Sequence, residues 1–295
     1  MHKHHSHDRS SDRIGWAFIL NVCFTVIEFI GGWLTNSTAI MADAVHDLGD
    51  SLSIGSAWLL NKLSKKDADE VFTYGYRRLS LFGALLNGVV LVVGSGWVLY
   101  QSIPRLFNPV MPITEGMLGL SILGILVNGY AAYKLSGGGS LNEKVLNWHL
   151  IEDVLGWVAV FIVSIILMFY DWPILDPVLA IGFTLFILFN VIKNLKDTLK
   201  IFFQAVPDSL LTSKINQELM KLDEIEAIHH EHCWSLDGEH NVYTAHLLLK
   251  KIIHQDEQRQ LKSLIAKKLG KFKLADTTIE LEFPDEQCRD EIIGR

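Results

Sequence analysis

The stretch ADAVHDLGDS, residues 42–51, sits inside a run that otherwise reads as a membrane-spanning helix, with TAIM before it and LSIGSAWLL after it. Residues 37–63 thus carry Asp43, His46, Asp47 and Asp50 into lipid, where each charge costs kilocalories. Ionisable groups in a span face the bundle interior or a water-filled cavity, and they mark function. The fold and its purpose therefore turn on whether a second helix supplies partners.

The histidines answer that question. The chain has 12. Four lie in the N-terminal tail (His2, His4, His5, His7) and six lie beyond residue 207. Only His46 and His149 fall within apolar runs, and each is followed four residues later by aspartate, giving His46-x-x-x-Asp50 and His149-x-x-x-Asp153. Four residues turn an α-helix by about 40° and raise it about 6 Å, so each pair shares one helix face. If the two faces meet, two imidazoles and two carboxylates converge, a set suited to tetrahedral zinc. A single pair could equally line a polar cavity. Two pairs that use every intramembrane histidine point to a metal. Asp43, Asp47 and Glu152 lie within a turn of these ligands and are expected to support or orient them. Asn21 and Glu28 in the first span and Asn128 in the fourth either line a water and proton path or join helices by hydrogen bonds.

Composition agrees with a membrane protein. The 295 residues are 49% hydrophobic and only 20% charged, against about 25% charged in soluble domains, and mean hydropathy is +0.26. A formal charge of −7 argues against nucleic acid, whose binders carry a basic patch. Cys23, Cys233 and Cys288 show no CxxC spacing, so neither a disulfide framework nor a Cys-rich zinc knuckle is implied. The polar N-terminus is unlike a signal peptide. Six spans are expected, at about 14–34, 37–63, 79–100, 116–135, 145–170 and 175–192. The second and fifth, which carry the HxxxD pairs, are expected to score weakest in hydropathy. Lys and Arg concentrate in the tail, after spans two and four, and in KNLKDTLK after span six, whereas TNST, QSIPRLFNPVMPITE and DWPILD hold one Arg between them. That asymmetry puts both termini in the cytoplasm.

Beyond residue 207 the pattern is that of a small soluble domain. DSLLTSKINQELMKL and DEQRQLKSLIAKKL have helical periodicity. AIHHEHCWSL and NVYTAHLLLK read as strands around the turn DGEH, and DTTIELEF alternates like a third strand. The division is then a tail (1–13), a six-helix membrane domain (14–206) and an α+β domain of order α-β-β-α-β (207–295), with GGG at 137–139 as a flexible turn. The histidines of the tail either concentrate metal or form a solvated tail.

With these motifs in view, the chain resembles the cation diffusion facilitators, a family of zinc-exporting antiporters, over nearly its whole length. The likeness includes MADAVHDLGDS, FTYGYRR, HLIEDVLGWVAV and DPVLAIGF. The resemblance implies a transport site of His46, Asp50, His149 and Asp153 of the zinc-preferring type, exchange of Zn²⁺ for protons, a homodimer, and residence in the inner membrane of a bacterial-type cell. It also implies a metallochaperone-like cytoplasmic domain that binds regulatory zinc. HHEHCWSL then points to His229 and His232, TAHLLL to His246, and TIELE to Glu282. The family often has a further His where Ala275 stands, and Cys288 in the tail is another candidate ligand. The other reading of these histidines is a solvated or dimer-packing face. His230, His240 and His254 read as surface residues, and Cys233 as packed. SKKDADEVFTYGYRR, between spans two and three, has Tyr74 and Tyr76 where some members have His, so no strong metal site is expected there.

Three other functions compete. A membrane metalloenzyme could use the same ligands, but the chain shows no HExxH or nucleophile motif, and four protein ligands close the coordination shell. A metal sensor or scaffold would tolerate loss of the HxxxD residues. A channel would carry current without a proton gradient.

Overall fold

A computed structural model of the chain describes residues 4–64, 66–136 and 141–288. Six long helices come first: α1 (His4–Thr35), α2 (Thr38–Ser64), α3 (Leu79–Phe107), α4 (Thr114–Ser136), α5 (Leu141–Phe169) and α6 (Leu175–Phe202). They are followed by α7 (Ser209–Leu219), β1 (Ile225–Ser235), β2 (Asn241–Leu249), α8 (Gln255–Leu269) and β3 (Leu274–Glu282). The six-helix and α-β-β-α-β patterns are both present. The glycine turn at 137–139 and the tail residue His2 lie outside the described residues, while the backbone is helical from His4.

Among the described residues, five of the long helices have the length and apolarity to cross a membrane, and the exception is α2, which carries Asp43, Asp47 and Asp50. The expectation for the fifth span is corrected: its apolar window has the highest hydropathy of the five, 2.3. Its polar residues crowd its N-terminal half, and AVFIVSIILMF beyond them is almost purely apolar. α3 is longer than expected, continuing past residue 100 through Pro104 to Phe107, where the Asn108 N–H donates to the Pro104 carbonyl.

The chain divides into two compact units, Met1–Asn61 with Gly83–Leu195, and Lys62–Phe82 with Lys196–Arg295. The second unit takes in the loop before α3, away from the expected boundary at 206/207. Phe72, Tyr76 and Phe82 line a cavity of about 540 Å³ together with Phe202, Trp234 and Leu236. In that loop Asp69 accepts hydrogen bonds from Tyr76 Oη (2.6 Å) and from the N–H groups of Phe72 and Val71, which hold its carboxyl down at about 2.

The core of the first unit gathers Phe24, Ile40, Val45, Leu91, Met117, Trp157 and Val160. α4 lies close against α5 because Gly124 has no side chain: a Cβ there would stand 2.2 Å from the Trp157 ring. One end of α2 is held with unusual care. Ser37 Oγ accepts from Ile40 N–H (3.2 Å), as an N-cap residue does. Asp176, in the first turn of α6, accepts from Ser37 Oγ (2.5 Å), from Thr38 N–H and Oγ1 (both 2.7 Å) and from Ala39 N–H (3.2 Å). A carboxylate at a helix N-terminus satisfies orphan N–H groups and complements the helix dipole. Arg105 of α3 binds the preceding residue, donating to Asn36 O (2.7 Å) and Asn36 Oδ1 (2.6 Å). Asn36 adopts a left-handed φ of 55°, which asparagine tolerates better than most residues.

In the second unit β1 pairs antiparallel with β2, and β2 pairs parallel with β3. Tyr243, Ala245, Leu247 and Leu249 of β2 pack with Ile215 and Leu219 of α7 and with Leu261 and Ile265 of α8. Alternation leaves Thr244, His246 and Leu248 on the opposite face. There they are in register with Thr278, Glu280 and Glu282 of β3.

Candidate functional site

α2 and α5 bring the two HxxxD pairs together. His149 Nε2 lies 2.9 Å from Asp50 Oδ2, and His46 Nδ1 lies 3.5 Å from the same oxygen. Asp153 comes from α5, with Oδ1 at 3.8 Å from His46 Nε2 and Oδ2 at 3.7 Å from His149 Nε2. The imidazoles meet edge to face, with centroids 5.4 Å apart. Bonds of about 2.0 Å at tetrahedral angles place ligand atoms about 3.3 Å from one another, and these separations bracket that value. His46, Asp50 and His149 each offer one ligand atom, all within 4.8 Å of one another. Asp153 faces the other ring nitrogen of His46, so drawing both carboxylates to one ion asks for a rotation of His46 or Asp153. Three of the four side chains remain about a quarter exposed, whereas Asp153 is 2% exposed.

Buried polar atoms almost always have hydrogen-bond partners. Here, among the described residues, His46 Nδ1 and both oxygens of Asp153 have no hydrogen-bond partner, and Asp50 Oδ2 meets only the His149 imidazole. Buried acceptors grouped around two imidazoles form a set that a divalent cation satisfies and an apolar core would not keep.

The supporting residues divide. Asp43 and Asp47 are buried on α2, and Asp43 Oδ1 lies close to α5, 3.7 Å from the Cβ position of Gly156. Glu28 on α1 is fully buried, against the carboxylate of Asp47. Asn21 on α1 donates to Ser51 Oγ (3.2 Å) and to the Asp47 carbonyl (3.5 Å), tying α1 to α2 beside the site. Asn128 is buried on α4, and its amide nitrogen has no hydrogen-bond partner among the described residues. Glu152 departs from expectation: it is exposed while its neighbour Asp153 is buried, because one residue along a helix rotates the side chain by about 100°.

A second cluster lies on the open face of the sheet. His229 and His246 are cross-strand partners with ring centroids 5.6 Å apart. Glu282 bridges them, Oε2 to His229 Nε2 and Oε1 to His246 Nδ1, both at 2.8 Å. Glu280 Oε2 lies 3.6 Å from His246 Nε2. His232, expected among these ligands, is exposed opposite Thr244, with its ring 5.0 Å from that of His230. A β-bulge between His229 and His232, with His230 at a φ of 47°, inserts an extra residue and so returns His232 to the open face, but opposite Thr244, one pair along from the His229–His246 pair. Cys288 takes its place: its Sγ lies 3.4 Å from His246 Nδ1, and His229, His246, Glu282 and Cys288 offer ligand atoms within 4.8 Å of one another. His240 binds Asp237 at 2.8 Å in the hairpin turn, and the His254 N–H donates to Glu257 at the start of α8. Cys233 packs in the core under the helices, and burial pushes its thiol pKa up.

Sequence comparison decides the ancestry of this arrangement. Residues 16–203 match the model of the cation efflux transmembrane domain.

The chain belongs to the cation efflux family.

Its similarity to known members extends well past the membrane helices. It is 30% identical over 288 residues to a protein of Bacillus velezensis named cadmium, cobalt and zinc/H(+)-K(+) antiporter, covering 96% of this chain and 92% of that one. It is 28% identical over 283 residues to the zinc transporter ZitB of Yersinia pseudotuberculosis, covering 94% and 89%. It is also 28% identical over 292 residues to the metal cation efflux system protein CzcD of Cupriavidus metallidurans, covering 96% and 92%. Family membership and the apolar helices make the chain an integral membrane protein, a transporter and not an enzyme.

Two features escaped the sequence reading. Asp176 was visible only as the acid of DPVLAIGF, and Arg105 only as the lone cation of three loops. Their partners, in the TNST turn, are far away in sequence.

Proposed function

We propose that this cation efflux protein exports Zn²⁺, with other divalent cations of similar ligand preference, from the cytoplasm in exchange for H⁺. The convergence of His46, Asp50, His149 and Asp153 from two helices carries this reading. The names of the Bacillus and Yersinia relatives agree with it. Binding needs neutral imidazole and ionised carboxylate, so metal and protons compete for the same atoms. Opened to a more acidic side, the site takes up protons and releases metal. Returned to a neutral side, it loses protons and rebinds metal. Glu28, Asp43 and Asp47 give protons an acidic route along α1 and α2.

The remaining assignments belong to the same reading. The distribution of loop cations supports cytoplasmic termini, and the bacterial relatives support the inner membrane of a bacterial-type cell. The protein works as a homodimer, and the cluster on the sheet is a regulatory metal site in a cytoplasmic domain from residue 207. The direct test is zinc uptake into proteoliposomes driven by an imposed pH gradient. Uptake is expected in the wild type and absent in His149→Ala and Asp50→Ala. Full transport in either variant refutes the site, and transport indifferent to the gradient refutes the exchange.

A further inference from the structure

We propose that the chain's tail supplies a thiolate, from Cys288, as the fourth ligand of the metal site on the sheet, making that site selective for soft cations such as zinc and cadmium. The proposal rests on reading the His229–His246–Glu282 cluster as a metal site.

The fold explains how the tail arrives. Glu282 is the last residue of β3, and a continuing strand would carry residue 288 about 20 Å away. Phe283-Pro284-Asp285-Glu286 instead forms a closed turn: Glu286 N–H donates to Phe283 O (3.0 Å) and Phe283 N–H donates to Glu286 Oε2 (2.7 Å). Proline at the second position suits such a turn. The chain doubles back, and Cys288 is buried on the face that carries the two imidazoles. Cys233 cannot serve, because it is on the other face of the sheet, and Cys23 belongs to α1.

The geometry fits a metal. With Zn–S near 2.3 Å and Zn–N near 2.0 Å, tetrahedral coordination separates sulfur and nitrogen by about 3.5 Å, and Sγ lies 3.4 Å from His246 Nδ1. Two nitrogens, one carboxylate oxygen and one sulfur fill a four-coordinate shell, which marks a closed, structural or regulatory site. A thiolate also turns preference towards softer cations and away from manganese and magnesium. Binding breaks the S–H bond, forms the metal–sulfur bond and releases the proton to solvent.

Cobalt tests this on the full chain, purified in detergent. Co²⁺ bound to thiolate gives a near-ultraviolet sulfur-to-metal charge-transfer band, whereas the intramembrane His/Asp site, without sulfur, gives none. The band is expected in wild type and in the Cys23→Ser, Cys233→Ser and His149→Ala variants. It should vanish in Cys288→Ser and His246→Ala, with zinc affinity at the sheet site falling at least about 10-fold, the lower end of what an outer-shell partner costs. Cys288→His should keep the metal while losing the band, which separates ligand loss from misfolding. Cobalt bound at the sheet cluster without the band overturns the thiolate and leaves the metal site standing. No cobalt bound there in wild type overturns the metal site itself.

Discussion

His149 Nε2 stands 2.9 Å from Asp50 Oδ2, joining α5 to α2 at one point, while Asp153 approaches no closer than 3.7 Å to either imidazole. The two aspartates, symmetric in sequence, are therefore unequal. Asp50→Asn is expected to raise the zinc dissociation constant of the intramembrane site more than Asp153→Asn, each by at least about 10-fold. Calorimetric titration in a His246→Ala background, which silences the sheet cluster, measures both. A larger effect at Asp153 would show that the bound state draws the ion towards α5.

The α2 cap makes a prediction about stability. Asp176→Ala removes the acceptor of two buried backbone N–H groups and two hydroxyls. The expected cost is on the order of 2–3 kcal/mol, combining a lost cap with orphaned donors. Asp176→Asn keeps an acceptor oxygen and should recover part of that. Thermal unfolding in detergent reads the difference, and an unchanged midpoint in the alanine variant would refute the role.

Gly124 should not tolerate a side chain. An added methyl meets the Trp157 ring at 2.2 Å, and overpacking of this kind costs about 1–3 kcal/mol. Gly124→Ala is expected to lower the unfolding midpoint, and adding Trp157→Leu should restore part of the loss. Additive effects in the double variant would place the strain elsewhere.

Glu218 on α7 predicts a pH dependence. Hydrogen bonds from Lys221 and Lys271 hold its carboxyl at about 2, and Lys268 Nζ lies 3.5 Å away. An unfolded glutamate titrates near 4.3. Because the folded value is the lower one, the contribution is present above about pH 4.3 and fades as pH falls towards 2. The stability difference between wild type and Glu218→Gln should be small, constant above about pH 5, and shrinking between about 4 and 2. A difference that grows on acidification would reverse the assignment.

The meeting of the two HxxxD pairs was legible because α-helical periodicity is strict: four residues apart means one face, and two such pairs in spans otherwise free of histidine leave few arrangements. The strands were legible by alternation, which also placed Glu280 and Glu282 on one face. His232 was not: alternation alone would set it on the face opposite His229, and the bulge that returns it to the open face, one pair along from His246, is announced by no residue in HHEHCW. Cys288 was only a candidate, because its place depends on the turn at Pro284. Glu152 was misplaced by nearness in sequence, which on a helix does not mean nearness in direction. The apolarity of the fifth helix was underestimated because its polar residues are confined to one half.

The Asn36–Ser37 corner has a mechanical meaning. Clasped by Arg105 and Asp176, the start of α2 is a fulcrum shared with α3 and α6. His46 lies eight residues beyond Thr38, about 12 Å along the axis, and Ser64 about 39 Å. Any tilt of α2 about that corner is therefore levered: 10° would move His46 by about 2 Å and the far end by about 7 Å. A displacement of 2 Å is enough to part His46 from Asp153, so a small swing at the clasp would serve to open the grip on an ion.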